Sequence, residues 1–197
     1  MTSKTPLDQG EPQGRQLILR EAARLFFTAG YGSTSISRIA DATGLVKSAI
    51  YHHFSSKDSL YLAVLSELVG RLTARLDACT CGETWRAQLD SAARCLAQFF
   101  AEERLDLPAI LRDLGQVPSI DVIAWRNRLA PDVLAPITHA IEQGIAAGEI
   151  AAIDPVWATW LLAVIAAASS RPLTRDPATD ATQQALDVFL RGIEARR

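Results

Sequence analysis

The sequence predicts an all-helical protein in two parts: an N-terminal three-helix domain built on a helix-turn-helix, and a larger C-terminal helical domain. Three observations carry this. Ala and Leu are abundant while β-branched runs are few, which favours helix. Apolar residues recur at i, i+3, i+4 and i+7 in segment after segment. Two short helical patterns, Ile36–Thr43 and Lys47–Phe54, meet at a single glycine, Gly44. With 197 residues, 49% of them apolar and 21% charged, the chain is globular and long enough for one large or two small domains.

Taken in order, residues 1–13 are polar, hold two prolines and a glycine, and read as a disordered arm. Helix 1 spans about Arg15–Ala29, where Ile18, Ala22, Leu25, Phe26 and Ala29 form one stripe. Gly30 and Gly32 end it around Tyr31. Ser35 is placed to cap the next helix, whose Ile36, Ile39 and Ala40 face inward. Gly44 suits a left-handed C-cap, and Leu45 re-enters the core. In the following helix Ile50 and Phe54 face inward. That leaves Lys47, Ser48, Ala49, Tyr51 and His52 outward. The second helix of such a pair enters the DNA major groove. Lys47 and Ser48 at its positive end favour phosphate. Ala49 allows close approach to a thymine methyl, and Tyr51 and His52 can donate to phosphates or base edges. His53, beside Phe54, is expected to be structural.

Charge supports the same reading. The net charge is −2, yet residues 14–57 hold six Lys and Arg against two carboxylates, +4, which leaves −6 for the rest. A basic head on an acidic body suits nucleic-acid binding confined to one end.

Ser55 or Ser56 should cap helix 4, from Lys57 to about Asp77, with Leu60, Val64, Leu65, Leu68 and Leu72 on its buried face. Helix 5 covers about Thr84–Glu103, and helix 6 about Leu107–Leu114 with Pro108 in its first turn. A long helix 7 is expected over Ser119–Ala147, kinked or split by Pro131 and Pro136 and capped by Gly148. Asp154-Pro155 opens helix 8, which runs to about Ser170, and helix 9 spans about Ala178–Ala195. Helix 8 is apolar on most sides, with Val156, Trp157, Trp160, Leu161, Val164, Ile165 and Ala168. Such width needs a core on one side and a second molecule on the other. Ala181, Ala185, Val188, Phe189 and Gly192 of helix 9 are expected to join this interface of a homodimer.

An odd count of three cysteines argues against a disulfide framework. Cys79 and Cys81 are too close for an unstrained disulfide, and C-x-C is not the C-x2-C of structural zinc sites. Cys95 could approach them, so soft-metal or thiol sensing is the alternative reading. His52, His53 and His139 with Cys95 are the only candidate nucleophile–base sets, and two of these histidines lie on the DNA face, so no enzyme is expected. No cofactor is expected either. The longest apolar run, Val156–Ala168, is too short to cross a bilayer, and no signal peptide is visible, so a cytoplasmic protein without a membrane partner is expected.

Residues 15–65 resemble the DNA-binding domain of the tetracycline-repressor (TetR) family. The motifs are A-x-x-L-F-x-x-x-G-Y at Ala22–Tyr31, T-S-I-x-x-I-A at Thr34–Ala40 and G-L-x-K-x-x-I-Y-H-H-F-x-S-K at Gly44–Lys57. Val46 departs from the pattern, standing where the family usually has a capping Ser or Thr. The resemblance implies a DNA-binding domain over 14–58 and an effector-binding and dimerisation domain over 59–197. It implies phosphate contacts for Thr34 and Tyr51, groove positions for Lys47, Ser48, Ala49 and His52, and a flanking-backbone contact for Lys57. It places an effector pocket among helices 4–7, with Phe99, Phe100, Leu111, Leu114, Ile120, Ile123, Trp125, Leu129 and Ile137 as candidate walls. Arg112, Arg126, Arg128 or His139 would meet a polar group there. The implied function is a repressor released from a palindromic double-stranded operator by a small hydrophobic or amphipathic ligand.

Overall fold

The computed structural model describes residues 11–118, 132–170 and 180–194, and every regular element among them is helical. In chain order these are α1 (Glu11–Ala29), α2 (Ile36–Thr43), α3 (Lys47–His53), α4 (Lys57–Cys79), α5 (Trp85–Glu102), α6 (Leu107–Leu114), α7 (Ala135–Ala146), α8 (Pro155–Ser169) and α9 (Ala181–Ile193). The chain divides into two compact units, 1–67 and 68–197, so the division falls inside α4.

In the first unit, α1 packs on α2 and α3 around Ile18, Phe26, Ile39 and Ile50. Helix α1 starts at Glu11, not at Arg15, so residues 11–13 of the expected arm are helical. A proline at position 12 is tolerated in a first turn, where its missing N–H is no loss. The caps of α2 follow the sequence reading. The Ser35 side chain accepts from the Arg38 amide at 3.2 Å, and Gly44 adopts φ 70°. The unit extends past residue 58 because Leu60, Tyr61, Val64 and Leu65 of α4 are buried. Tyr61 meets the rings of Phe26 and Tyr31, each at 5.0 Å between centroids.

In the second unit α5 is the central helix, packed against α7, α8 and α9. Leu89, Ala93, Leu96 and Phe100 line its inner face, as the spacing predicts, and burying each Leu contributes about 1.5–3 kcal/mol. Helix α7 reaches α5 closely at Gly144, where a Cβ would stand 2.5 Å from Ile150 Cδ1 and 3.1 Å from Trp85 Cδ2. The Ala151 amide donates to the Ile193 carbonyl at 2.8 Å, tying the α7–α8 connection to the end of α9.

Helix 7 differs from expectation within the described residues. Leu134 interrupts it, and Pro136 sits in the first turn of α7, where it starts a helix rather than kinking one. Pro131 and the rest of the expected 119–131 stretch lie outside the described residues. Helix α9 begins at Ala181, capped by Asp180, whose side chain accepts from the Gln183 amide at 3.0 Å. No helix among the described residues is long and apolar enough to cross a membrane.

Candidate nucleic-acid interface and effector cavity

The α3 face is built by one buried anchor and one helix cap. Ile50 is fully buried and Phe54 nearly so, which turns Lys47, Ser48, Tyr51 and His52 outward, with Ala49 half-buried. Tyr51 is 52% exposed. His53 is half-buried and its ring lies 6.4 Å from that of Phe54, in keeping with a structural role. Val46 stands at the N-cap with no side-chain hydrogen bond and is 68% exposed. An apolar side chain there leaves amides of the first turn to solvent.

Thr34 departs from its expected role. It is buried, and its hydroxyl donates to the carbonyls of Gly30 at 2.9 Å and Leu25 at 3.3 Å. It ties the end of α1 to the start of α2 and does not present its hydroxyl to a phosphate. Lys57 is half-buried and engaged: its Nζ donates to the Tyr31 carbonyl at 2.8 Å and lies 3.9 Å from the Tyr31 ring centre. The Tyr31 hydroxyl in turn donates to Asp58 Oδ1 at 2.5 Å. Burial first, then this bond, pushes the Tyr31 phenol up to about 12. Sequence reasoning missed Asp58. Its only signal was an acid in the first turn of α4, a position many helices fill. Farther along α4, Glu67 accepts from Gln16 at 3.2 Å and lies 3.8 Å from Arg15. The first turns of α4 are therefore fastened to the head at both ends.

In the second unit a cavity of about 340 Å³ opens between α6 and α8, lined by Leu105, Asp106, Leu107, Pro108, Leu111, Val164, Ala167 and Ala168. Of the expected walls it gathers Leu111, and from the expected dimer face it takes Val164. Phe99, Phe100, Leu114 and Ile137 are buried in the core and do not line it. His139 is exposed on α7, 3.9 Å from Glu142. Ile120, Ile123, Trp125, Arg126, Arg128 and Leu129 lie outside the described residues. Asp106 is at the cavity, where its carboxylate also caps α6 by accepting from the Ala109 amide at 3.1 Å.

The expected interface divides in two. Val156, Trp157, Leu161 and Val188 are exposed, Trp157 at 63% and Val188 at 73%. Trp160 and Ala185 are half-buried, and Gly192 is exposed with open space around it. Phe189, in contrast, is 4% exposed and belongs to the core of its own unit. It and Val188 are neighbours on α9, about 100° apart around the helix, so only one can point outward.

Residues 18–64 match the profile of bacterial regulatory proteins of the tetR family. Over that segment the chain is similar to the tetR family. It is 35% identical over 80 residues to the HTH-type transcriptional repressor AcnR of Corynebacterium efficiens, covering 41% of this chain and 43% of that one. The alignment thus spans less than half of the curated relative's length. Likeness in fold extends further. A tetR-family regulator from Shewanella sp. PV-4 superposes with a TM-score of 0.77 over 93% of this chain and 99% of its own, at 20% identity. AibR, solved with isovaleryl coenzyme A and operator DNA, superposes with a TM-score of 0.70 over 91% of this chain and 97% of its own, at 19% identity. At such identities the likeness is one of fold: a helix-turn-helix head followed by a helical C-terminal unit.

Proposed function

We propose that this chain is a DNA-binding transcriptional regulator and not an enzyme: a cytoplasmic homodimeric repressor that leaves a palindromic double-stranded operator when a small hydrophobic or amphipathic ligand binds its C-terminal unit. The observation that carries the reading is the α3 face, where a buried Ile50 turns Lys47, Ser48, Tyr51 and His52 outward together. Lys47 and Tyr51 serve phosphates, while Ser48, Ala49 and His52 meet base edges. Lys57 adds a phosphate contact with the donors its ammonium does not spend on Tyr31. The second copy covers the exposed Trp157, Leu161 and Val188, and two heads read two half-sites. That AcnR is a repressor, and that AibR was solved with an acyl-coenzyme A and operator DNA, agrees with this reading.

The ligand enters the cavity between α6 and α8, whose volume of about 340 Å³ suits a small apolar body. It acts only through its differential affinity for the DNA-bound and released arrangements, a coupling of about 1–3 kcal/mol. Helix α4 is the connection, unbroken from Lys57 to Cys79. The test is salt dependence. Lys47→Ala should weaken binding to all sequences and lower the slope of log K against log[salt] by about one charge per head. An unchanged slope rejects a phosphate role for Lys47.

A further inference from the structure

Three cysteines converge on α5, and the proposed repressor mechanism uses none of them. Cys79 is the last residue of α4 and half-buried, Cys81 is exposed in the next turn of chain, and Cys95 is buried on α5. Sequence spacing sets Cys79 and Cys81 too close for an unstrained disulfide, and the fold brings Cys95 against the last turn of α4. The Cys95 thiol donates to the Arg75 carbonyl at 3.6 Å. In an α-helix that same carbonyl takes the amide of Cys79, one turn on. The two cysteines thus share one acceptor on one face of α4. Burial first, and then the Cys79 sulfur, pushes the Cys95 thiol up to about 12, so it stays protonated at rest.

The surroundings favour a covalent link. Cys79 ends its helix, and beyond it the ladder continues through the Thr80 amide, which donates to the Leu76 carbonyl at 2.8 Å. Arg75 pairs with Glu102 at 2.5 Å and Arg71 with Glu103 at 3.0 Å, so α4 and α5 are already held together beside the thiols. Ser91 of α5 fixes the chain beyond, accepting from the Cys81 amide at 3.1 Å and donating to the Cys81 carbonyl at 3.0 Å. This keeps Cys81 one turn short of Cys95. No group of three or more His, Cys, Asp or Glu among the described residues is placed to hold a metal ion, which favours thiol chemistry over metal binding.

We infer that Cys79 and Cys95 form a dithiol that peroxide oxidises to a reversible disulfide, and that the link, by fastening the end of α4 to α5, changes the affinity of the head for DNA. Cys79, the more exposed, meets the oxidant first. Its sulfur attacks one oxygen of hydrogen peroxide, the O–O bond breaks, and the other oxygen leaves as water with the thiol proton. The Cys79 sulfenic acid is then attacked by the Cys95 sulfur. The S–S bond forms, the S–O bond breaks, and the hydroxyl leaves with the Cys95 proton as a second water. Two thiols lose two electrons and one peroxide gains them. Disulfides formed under reducing conditions are usually of this transient, signalling kind.

The experiment treats the reduced full-length protein with hydrogen peroxide under native conditions. Free thiols are then counted in denaturant, and the linked peptides identified by mass spectrometry. The count should fall from three to one, with the link joining the Cys79 and Cys95 peptides. Cys81→Ser should form the same link, and Cys79→Ser and Cys95→Ser should form no intramolecular link. Circular dichroism shows that each variant is folded. Three surviving thiols, or a link that requires Cys81, overturns the pairing. The second arm measures affinity for a duplex selected by the reduced protein. Oxidation should lower it about fivefold or more, and dithiothreitol should restore it. Equal affinities of linked and reduced protein overturn the regulatory half. The thiol count stands apart from the repressor reading. Loss of the pairing and loss of DNA binding by the reduced protein are therefore separate results.

Discussion

The head and the C-terminal unit are both helical with apolar interiors, but they turn opposite surfaces to their surroundings. On α3 the outward residues are Lys47, Ser48, Tyr51 and His52, and only Ile50 is fully buried. On α8 the outward residues are Val156, Trp157 and Leu161, while Ala158, Thr159, Leu162, Ala163, Ala166 and Ala167 are buried behind them. A polar face against an apolar core is an amphipathic pattern that names its own inside. An apolar face against an apolar core does not. In the second unit, therefore, the same kind of residue serves as core, cavity wall or outer surface, and only packing decides which.

Adjacent residues on α9 should show the largest difference between core and outer surface. Phe189→Glu buries a charge in the core and removes a large ring, so it should cost at least about 3–5 kcal/mol and leave the protein unfolded or aggregated. Val188→Glu alters a side chain that is 73% exposed and should leave the fold intact but yield monomer in light scattering. A folded Val188→Glu dimer would move the interface elsewhere.

Gly144→Ala comes next. Its new methyl would stand 2.5 Å from Ile150 Cδ1 and 2.8 Å from Cγ1, so α7 or the Ile150 loop must move. The expected loss is about 1–3 kcal/mol in denaturant unfolding. A neutral result would show that this part of the second unit is looser than the core around α5.

The head should respond in the other direction. Val46→Ser places an acceptor at an N-cap that now has none, and should raise the stability of the head by about 1 kcal/mol. Chemical denaturation measures it. If the gain is absent, the amides of the α3 first turn are already satisfied by solvent.

The smallest effect at neutral pH concerns Tyr31. Its phenol is raised from 10.0 to about 12 in the folded state. A raised folded value means the stabilisation is fully present below the ordinary value and is lost as pH rises through the folded one. Melting temperature should therefore fall between pH 10 and 12 in the parent protein. Tyr31→Phe should flatten that part of the profile, and a spectroscopic titration of tyrosinate should show one late-titrating group that this variant lacks. An identical alkaline profile in both proteins would mean that Tyr31 titrates no later than a tyrosine in the unfolded chain.

Much of the head was legible because its signals are local. Ser35 caps α2, Gly44 turns out of it, and Ile36, Ile39 and Ile50 are buried where their spacing puts them. Thr34 was misread because its partners, the Gly30 and Leu25 carbonyls, belong to the preceding helix end and leave no pattern around Thr34 itself. In the second unit, of the residues named for pocket and interface, Phe99, Phe100, Leu114 and Phe189 are core and Val164 is cavity wall. Hydropathy says that a residue leaves water. It does not say whether it leaves water for its own chain, a ligand or a second copy.

The helical class, the two-part order, the helix-turn-helix with its outward Lys47–His52 face, and the caps at Ser35, Gly44 and Asp154 are all readable along the chain. Each of these follows from dihedral preference, hydrogen bonding or periodicity within a few residues. Packing settled that Tyr31, Lys57 and Asp58 fasten α4 to the head, that the Cys95 thiol bonds to the Arg75 carbonyl of α4, and that Val188 and not Phe189 faces outward. Those pairings join residues up to 27 positions apart or choose between neighbours of equal hydropathy. The physical reason is that long-range contacts are settled by which helices pack together and at what rotation, and no local spacing encodes that rotation.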